Sequence, residues 1–320
     1  MERELIEWLR AEFPVPRHAR LGIGDDCAIL PPAQAEWAIT CDSICDQVHF
    51  DSAQVTPEQI GRKALAVNLS DLAAMGALPR VVVVSLTLPR TADLAYVQRL
   101  YRGMGELIDR YQLDICGGDT TVAAGPLVIS LTALGELAET GAWRIDQAQS
   151  GDRILVTGQL GGSLAGHHLD FEPRVDFARQ WRDTPHVRCC TDISDSLSLD
   201  LAKVARASGT GFELDSARIP LAPAAAFRSQ ETGHPPLHHA LFDGEDFELL
   251  VVATPENAAV LVENTPGDPG LTEIGRITAG PDYLLRTAQR VDPLQPAGYE
   301  HRLASGPVDL GGPETEGIDE

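Results

Sequence analysis

The sequence predicts a two-domain protein of mixed strands and helices, and three observations carry that expectation. At 320 residues the chain is about twice the ~150 residues of an average domain, so two cores are expected. β-Branched runs and amphipathic stretches follow one another along the whole length and never separate into an all-strand or an all-helix half. Hydrophobic periodicity lapses over Ala138 to Asp152, where polar residues and glycine accumulate. The divisions that follow are 1–138 for an N-terminal domain, 150–303 for a C-terminal domain, and 304–320 for an acidic, Gly/Pro-rich tail expected to be disordered.

The opening MERELIEWLRAEF reads as a charged amphipathic helix without the apolar centre of a secretion signal. Leu21 to Pro31, LGIGDDCAILP, sets Asp25 and Asp26 beside glycines, which is ordinary turn chemistry that also projects two carboxylates from a loop. Trp37 to Asp42 reads as a strand ending on a carboxylate. His49 follows in SICDQVHF, either as a satisfied structural histidine or as a ligand. Next comes the stretch on which the chain is organised, GRKALAVNLSDLAAMG from Gly61 to Gly76. Leu65, Leu69, Leu72 and Gly76 recur at helical spacing, alanine fills most other faces, and Asp71 is the only ionisable side chain from Ala64 through Pro79. Such a helix is buried nearly all round and carries a carboxylate inside with it. An unpaired charge there is costly, so either an arginine or a metal ion is expected to meet it.

Val81 to Leu88 is a β-branched strand closed by Pro89, and Thr91 to Gln112 reads as a helix with Thr91 as N-cap. Leu113 to Thr121 is a short strand running into Gly117, Gly118 and Asp119, and Pro126 to Leu137 is another. In the second half a strand at Arg153 to Thr157 enters GQLGGS, whose glycines either admit a phosphate or simply turn the chain. Asp170 to His186 is charged and poorly patterned. Val187 to Ile193 is a buried strand that delivers Asp192, Ser194 and Asp195 to a helix from about Ser196 to Ser208, with Ser194 or Asp195 as its cap. Strand 211–215, a helix after the IPLAP turn, Asp243, Glu245 and Asp246 ahead of a strand reaching Ala253, a helix near 255–264 and strands near 271–278 and 282–287 complete the pattern.

With 47 acidic against 25 basic residues and a net charge of −22, the chain is a poor partner for nucleic acid or an anionic membrane. The six cysteines show neither a CxxC pair nor zinc spacing and read as reduced thiols. No apolar run approaches the ~18 residues that cross a bilayer, so a soluble cytoplasmic protein is expected. A dinucleotide fingerprint and a P-loop lysine are both missing. Carboxylates instead recur at Asp25–Asp26, Asp42, Asp119, Asp192–Asp195 and Glu245–Asp246, with Asp71 added from inside a helix. Hard divalent cations, Mg²⁺ above all, are held by scattered carboxylates together with substrate phosphates. Metal-bridged polyphosphate binding is the chemistry to which this pattern points.

LGIGDDCAIL, Thr40-Cys41-Asp42 with His49-Phe50, NLSDLAAMGA, GGDT, DISD and GEDFELL stand in the order found in the thiamine-monophosphate kinase family of the aminoimidazole ribonucleotide synthetase superfamily. The chain resembles that family over roughly residues 20 to 300. The resemblance implies an α+β fold with an N-terminal mixed-sheet domain that pairs in a homodimer, a C-terminal α/β sandwich domain, and ATP near the pairing interface. It implies in-line, ATP-dependent phosphorylation of thiamine monophosphate to thiamine diphosphate with several Mg²⁺ ions. Matched by motif position, Asp26, Thr40, Cys41, Asp42, Asp71, Asp119, Asp192 and Asp195 are implied as metal ligands, with Asp71, Asp119 and Asp192 at the catalytic centre. Tyr101, Gly118, Asp119, Arg144 and Ser194 are implied as ATP contacts, and His49 and Glu245 as contacts of the thiamine phosphate. The chain departs from the pattern at several places, among them the loop Cys45-Asp46-Gln47-Val48 and a spacing from Arg144 to Gly151-Asp152 that is one residue longer than usual. Cys41 stands where the family has Thr or Ser, Ser196 replaces the glycine of DISDGL, and Asp243 replaces one glycine of GGED. Pro296 falls where the family has a stacking aromatic, with Tyr299 nearby as a stand-in. Another superfamily activity and a nucleotide-binding homologue without turnover are the alternatives.

Overall fold

The structure, a computed structural model, describes residues 2–13, 17–19, 23, 30, 35–267 and 270–299. Asp26 and the 304–320 tail lie outside the described residues. The first half runs α1 (Glu2–Glu12), β1 (Trp37–Cys45), α2 (Pro57–Ala74), β2 (Leu78–Pro89), α3 (Leu94–Tyr111), β3 (Asp114–Ala123) and β4 (Val128–Glu136). Its four strands form a sheet in the order β1-β4-β2-β3. β2 and β3 are parallel, which requires a crossover, and α3 supplies it. Alternation along the strands puts Val84, Leu86, Ile129, Leu131 and Ala133 on a buried face under the helices. The opposite face is open, with Ile39 68 % and Val83 37 % exposed.

α2 starts earlier than its leucine stripe. The Thr56 hydroxyl accepts from the Gln59 N–H while the Gln59 side chain accepts from the Thr56 N–H, a capping box followed by Pro57 in the first turn. From Ile60 to Ala74 every residue is buried except Arg62 and Asp71, which are half-buried. Gly76 does not extend the stripe: it lies beyond the helix end at φ 70°, where a Cβ would sit 2.9 Å from the Trp143 ring. The crossing of α2 and α3 depends on two other glycines. A Cβ on Gly61 would lie 1.9 Å from the Leu100 carbonyl oxygen, and one on Gly103 would lie 1.9 Å from that of Glu58. Gly61→Ala and Gly103→Ala are each expected to cost about 1–3 kcal/mol or more by overpacking, read as a lower denaturant midpoint at constant slope. The cap of α3 is Asp93, whose side chain accepts from the Tyr96 N–H, and not Thr91. A turn closed by the Ala92 N–H on the Pro89 carbonyl delays the helix by those residues.

The second half runs β5 (Arg153–Thr157), α4 (His167–Asp170), α5 (Val175–Trp181), β6 (Cys189–Asp192), α6 (Leu197–Ser208), β7 (Gly211–Asp215), α7 (Pro223–Thr232), α8 (Pro236–Phe242), β8 (Leu249–Ala253), α9 (Pro255–Asn264), β9 (Leu271–Thr278), β10 (Tyr283–Arg286) and β11 (Val291–Pro293). The strands form a mixed sheet in the order β11-β10-β7-β9-β5-β8-β6. The poorly patterned stretch 170–186 contains α5, whose Val175, Phe177, Ala178 and Trp181 are buried. Two turns of helix are too short to establish a period against the surrounding charges. Where one helix was expected after the IPLAP turn there are two, broken at Gly233 (φ 78°) and the prolines 235 and 236. GQLGGS is a plain turn: the Leu160 N–H is taken by the Pro220 carbonyl and the Gly161 N–H by Asp246 Oδ1, so no phosphate competes for them. Phe171, Trp181, Phe247 and Val251 join the core of the first half, while a second cluster including Ile154, Leu201 and Phe212 fills the far side of the larger sheet. α2 is therefore wedged between the two halves, and this wedging carries Asp71 to their junction. Among the described residues no helix is long and apolar enough to cross a membrane.

Candidate active site

Side chains at the C-terminal end of α2 reach both neighbours. The Asp42 N–H of β1 donates to Asn68 Oδ1 (3.2 Å), and Asn68 Nδ2 donates to the Ala64 carbonyl (3.1 Å), which ties strand to helix. One turn on, Thr40 Oγ1 donates to Asp71. On the other side of the helix Ser70 Oγ donates to Asp192 Oδ2 (2.7 Å), fixing the carboxylate at the end of β6. Asp42, Asp71 and Asp192 thus arrive from three elements at one place. Burial raises the pKa of Asp42 above the usual carboxylate range, and burial together with the charge of Asp42 pushes Asp71 up to about 7. Burial, and then the charge of Asp71, raises Asp192 well above its ordinary value. Among the described residues no arginine or lysine forms an ion pair with any of the three. Among the described residues, then, the arginine expected as one partner of Asp71 does not meet it.

The loop after β6 is shaped by a residue the sequence reading passed over. Asp200 Oδ2 accepts from the N–H groups of Ser194, Asp195 and Ser196 at 3.1, 3.0 and 3.1 Å. The α6 cap is Ser196, whose hydroxyl accepts from the Leu199 N–H (3.1 Å), and neither Ser194 nor Asp195, whose N–H groups face Asp200. The same hydroxyl donates to the Ala297 carbonyl (2.7 Å), so the residue that replaces the family glycine stitches the C-terminal segment onto this loop. Asp195 is paired with Lys203 Nζ at 2.5 Å, which distinguishes it from the three unpaired acids.

These groups open on a cleft of ≈ 800 Å³ lined by Asp42, Val48, His49, Asp71, Leu164, Asp192, Ser194, Asp195, Asp243, Glu245, Phe247 and Tyr299 among others. His49 Nδ1 accepts from the Cys45 N–H (3.0 Å), which leaves the ring proton on Nε2. Gly244, Glu245 and Phe247 all have positive φ (74°, 53° and 50°), and left-handed non-glycine residues of this kind gather at functional sites. Tyr299, the stand-in aromatic, lies on the cleft wall with its N–H on the Asp195 carbonyl (3.1 Å). A second cavity of ≈ 420 Å³ meets Asp71 and Asp192 from another side, lined by Trp37, Ile39, Thr40, Met75, Leu137 and Ile145 among others. Its walls are mostly apolar.

Of the residues singled out from sequence, Asp42, His49, Asp71, Asp192, Ser194, Asp195 and Glu245 share the cleft, with Thr40 bonded to Asp71 beside it. The others lie elsewhere. Cys41 points to the open sheet face, its Sγ 3.7 Å from Ser130 Oγ, so only its backbone is on the side of Asp42. Gly118 and Asp119 are exposed on β3, at the opposite edge of the sheet from Asp42. Tyr101 is buried against the Trp8 ring at 6.2 Å. Arg144 is exposed and paired with Asp146, next to Ile145 of the second cavity. Among the described residues no group of three or more His, Cys, Asp or Glu side chains is gathered closely enough to hold a metal ion by itself.

Sequence reasoning missed Lys63, Ser70 and Asp200. Lys63 is fully buried and its Nζ lies 2.9 Å from both carboxylate oxygens of Glu245. Burial pulls its pKa below the ordinary lysine value, and the Glu245 charge opposes that pull. A signal was available: Lys63 is one of two lysines in the chain, set at the start of an almost wholly apolar helix.

Two family models cover the chain: AIR synthase related protein, N-terminal domain, over residues 24–137, and AIR synthase related protein, C-terminal domain, over residues 157–286. The thiamine-monophosphate kinase of Rhodopirellula baltica is 38 % identical over 311 residues, covering 94 % of this chain and 97 % of its own. Among solved structures, the crystal structure of thiamine-monophosphate kinase from Stenotrophomonas maltophilia superimposes with a TM-score of 0.75 at 33 % identity, covering 88 % of this chain and 95 % of that one. The structure described as AaThiL complexed with AMPPCP and TMP superimposes with a TM-score of 0.73 at 28 % identity, covering 94 % and 97 % of the two chains. With both of its halves matched and a curated relative aligned end to end, the chain belongs to the AIR synthase related family and, within it, to the thiamine-monophosphate kinases.

Proposed function

We infer that this chain transfers the γ-phosphoryl group of ATP to thiamine monophosphate, yielding thiamine diphosphate. The observation that carries the reading is the meeting of Asp42, Asp71 and Asp192, none paired with a lysine or arginine among the described residues, where two cavities of opposite character join. The apolar cavity suits a nucleoside, with Arg144 at its edge, and the cleft with His49 and Glu245 suits the acceptor. A structural neighbour holds AMPPCP and TMP together, and the two cavities are arranged for two such ligands.

The donor set consists of oxygen atoms, and among the described residues no lysine or arginine stands by Asp42, Asp71 or Asp192 to neutralise them once ionised, which fits Mg²⁺ and disfavours a bare polyphosphate. Asp42, Asp71 and Asp192, with Thr40, Asp195, the Cys41 backbone and Asp26, are the groups that would hold it. Because Mg²⁺ retains waters and takes phosphate oxygens as ligands, the lack of a closed protein cage agrees with this role. Bound there, the ion neutralises phosphate charge. The protein's own groups do the rest. The Asn68 bridge and the Thr40 and Ser70 hydroxyls fix where the acids stand. His49, with its proton on Nε2, presents a donor to an anionic acceptor. Val48, Leu164 and Phe247 line the cleft with apolar surface that limits water. The acceptor phosphate is already ionised at neutral pH, so no strong general base is needed, and none of the cleft residues has to act as one.

The active species is a homodimer paired through the open sheet face. That face carries small side chains such as Ser43, Ser85, Ser130 and Thr132 beside the exposed Ile39 and Val83, a surface that another sheet can approach closely. Ile39 also lines the apolar cavity, so the nucleotide pocket opens toward the partner. The direct test is purified protein with ATP, Mg²⁺ and thiamine monophosphate, assayed for thiamine diphosphate. Steady turnover is expected. ATP binding without turnover on thiamine monophosphate would reject the reading.

A further inference from the structure

We propose that Lys63 is the positioning residue of the acceptor end of the cleft, one buried ammonium that holds Glu245 from the C-terminal half and the His49 turn from the N-terminal half in fixed relation. The inference rests on the acceptor reading of that end. Lys63 lies on α2 with no exposure at all, and its surroundings use an ammonium fully. Nζ donates to the His49 carbonyl at 2.7 Å, lies 2.9 Å from Glu245 Oε1 and 2.9 Å from Oε2, and faces His168 Nδ1 at 2.7 Å. An ammonium has three N–H donors and no acceptor, and here three residues from three separate segments surround it: the His49 carbonyl and the Glu245 carboxylate accept from it, and His168 Nδ1 lies between it and Glu245. His168 also lies 3.1 Å from Glu245 Oε2, which closes the cluster.

Two of the three partners line the cleft, and each is held where it could not hold itself. Glu245 sits at φ 53° between Gly244 and Asp246, a strained conformation that persists only when its surroundings impose it. Its carboxylate, doubly engaged by Lys63, acts as an anchor for the loop. The His49 turn is pinned at its carbonyl by Lys63 and at its ring by the Cys45 N–H. Lys63 therefore sets the distance between the two walls that flank the acceptor, without itself lining the cleft. Arginine is a poor replacement, because a planar fork cannot deliver three diverging bonds in a fully enclosed space.

The test compares Lys63→Met, Lys63→Arg, Glu245→Gln and the Lys63→Met/Glu245→Gln double variant with wild type. KM is measured for each substrate, and binding of thiamine monophosphate and of the ATP analogue AMPPCP by calorimetry. Lys63→Met is expected to raise KM and Kd for thiamine monophosphate about tenfold or more while the nucleotide values stay within about twofold, with Lys63→Arg intermediate. The double variant is expected to bind thiamine monophosphate no worse than Glu245→Gln alone, because the two residues act as one unit. It also removes both charges, so it serves if Lys63→Met leaves Glu245 unpaired and fails to fold. Unchanged acceptor affinity in a folded variant, or equal weakening of both ligands, overturns the proposal. Histidine ring NMR of the ligand-free protein gives an independent readout: the His49 and His168 signals are expected to move in the lysine variants, and unmoved signals also overturn it. If wild type binds no thiamine monophosphate while those signals do move, the acceptor reading fails and the positioning role stands.

Discussion

Asp71→Asn is expected to lower kcat by roughly 10³-fold while making the metal-free protein more stable. The activity loss follows from removing the central acid of three: divalent-ion stabilisation of developing phosphoryl charge is worth several kcal/mol, and each ~1.4 kcal/mol is tenfold in rate. The stability gain follows from the same geometry. Asp71 stands at about 7 in the folded protein against an ordinary value of 3.8, because of burial first and the charge of Asp42 second. Between those values the folded state holds a proton that the unfolded state has released. Stability of the metal-free protein therefore falls as pH rises from about 4 to about 7 and levels off above. The shift bounds the effect at about 4 kcal/mol, and partial solvent exposure and sharing of the proton with Asp42 make it smaller. Asp71→Asn removes the charge and flattens this slope. Adding Mg²⁺ at pH 8 is expected to raise the wild-type melting temperature by mass action and to leave the variant nearly unmoved. A variant that keeps wild-type kcat, or shows an unchanged pH slope and an unchanged Mg²⁺ response, would remove Asp71 from the site.

Asp71 was legible from sequence because a single acid in sixteen otherwise uncharged residues has to be explained by its surroundings. The strand ends were legible for a related reason: a β-branched run that stops on Asp42 or Asp192 predicts both the strand and the place where its polar group emerges. What stayed hidden was everything whose partner lies far along the chain. Lys63 reads locally as an ordinary charge in the first turns of a helix, and only Glu245, 182 residues away, makes it interior. α5 was hidden because its apolar residues are matched to α2 and not to one another. The cap assignments failed by two residues at Thr91 and by one or two at Ser194 or Asp195, since several Ser, Thr and Asp side chains compete at such ends and the winner is fixed by tertiary hydrogen bonds, as the bond from Ser196 to Ala297 shows. Asp119 was expected where a short strand runs into two glycines, and the strand in fact continues through Gly117, Gly118 and Asp119 to Ala123. Which face it occupies depends on strand register, and register does not show in the motif.

That placement leads to the second large effect, a rescue between two inactive variants. Asp119 pairs in register with Ser85, which pairs with Ser130 and through it with Ser43. Asp42 is the next residue along β1, so it points to the opposite face, three strands away and thus about 14 Å across the sheet. Asp119 therefore cannot join the acids of its own chain without refolding the sheet. On the open face it is available to a partner chain paired there, and the expected result is that in a dimer it serves the partner's nucleotide pocket. Asp71→Asn and Asp119→Asn, each alone, are expected to be nearly inactive. Co-expressed with separate tags, the two chains form mixed dimers in which one site has lost both acids and the other keeps both. Random pairing makes half of the dimers mixed, each with one working site of two, so roughly a quarter of wild-type activity is expected to return. Purified mixed dimers are expected to carry about half. If Asp119 served its own chain, each site in a mixed dimer would lack one acid and no activity would return. A mixed dimer that stays inactive, with both parent variants folded and dimeric, would place Asp119 outside the shared site.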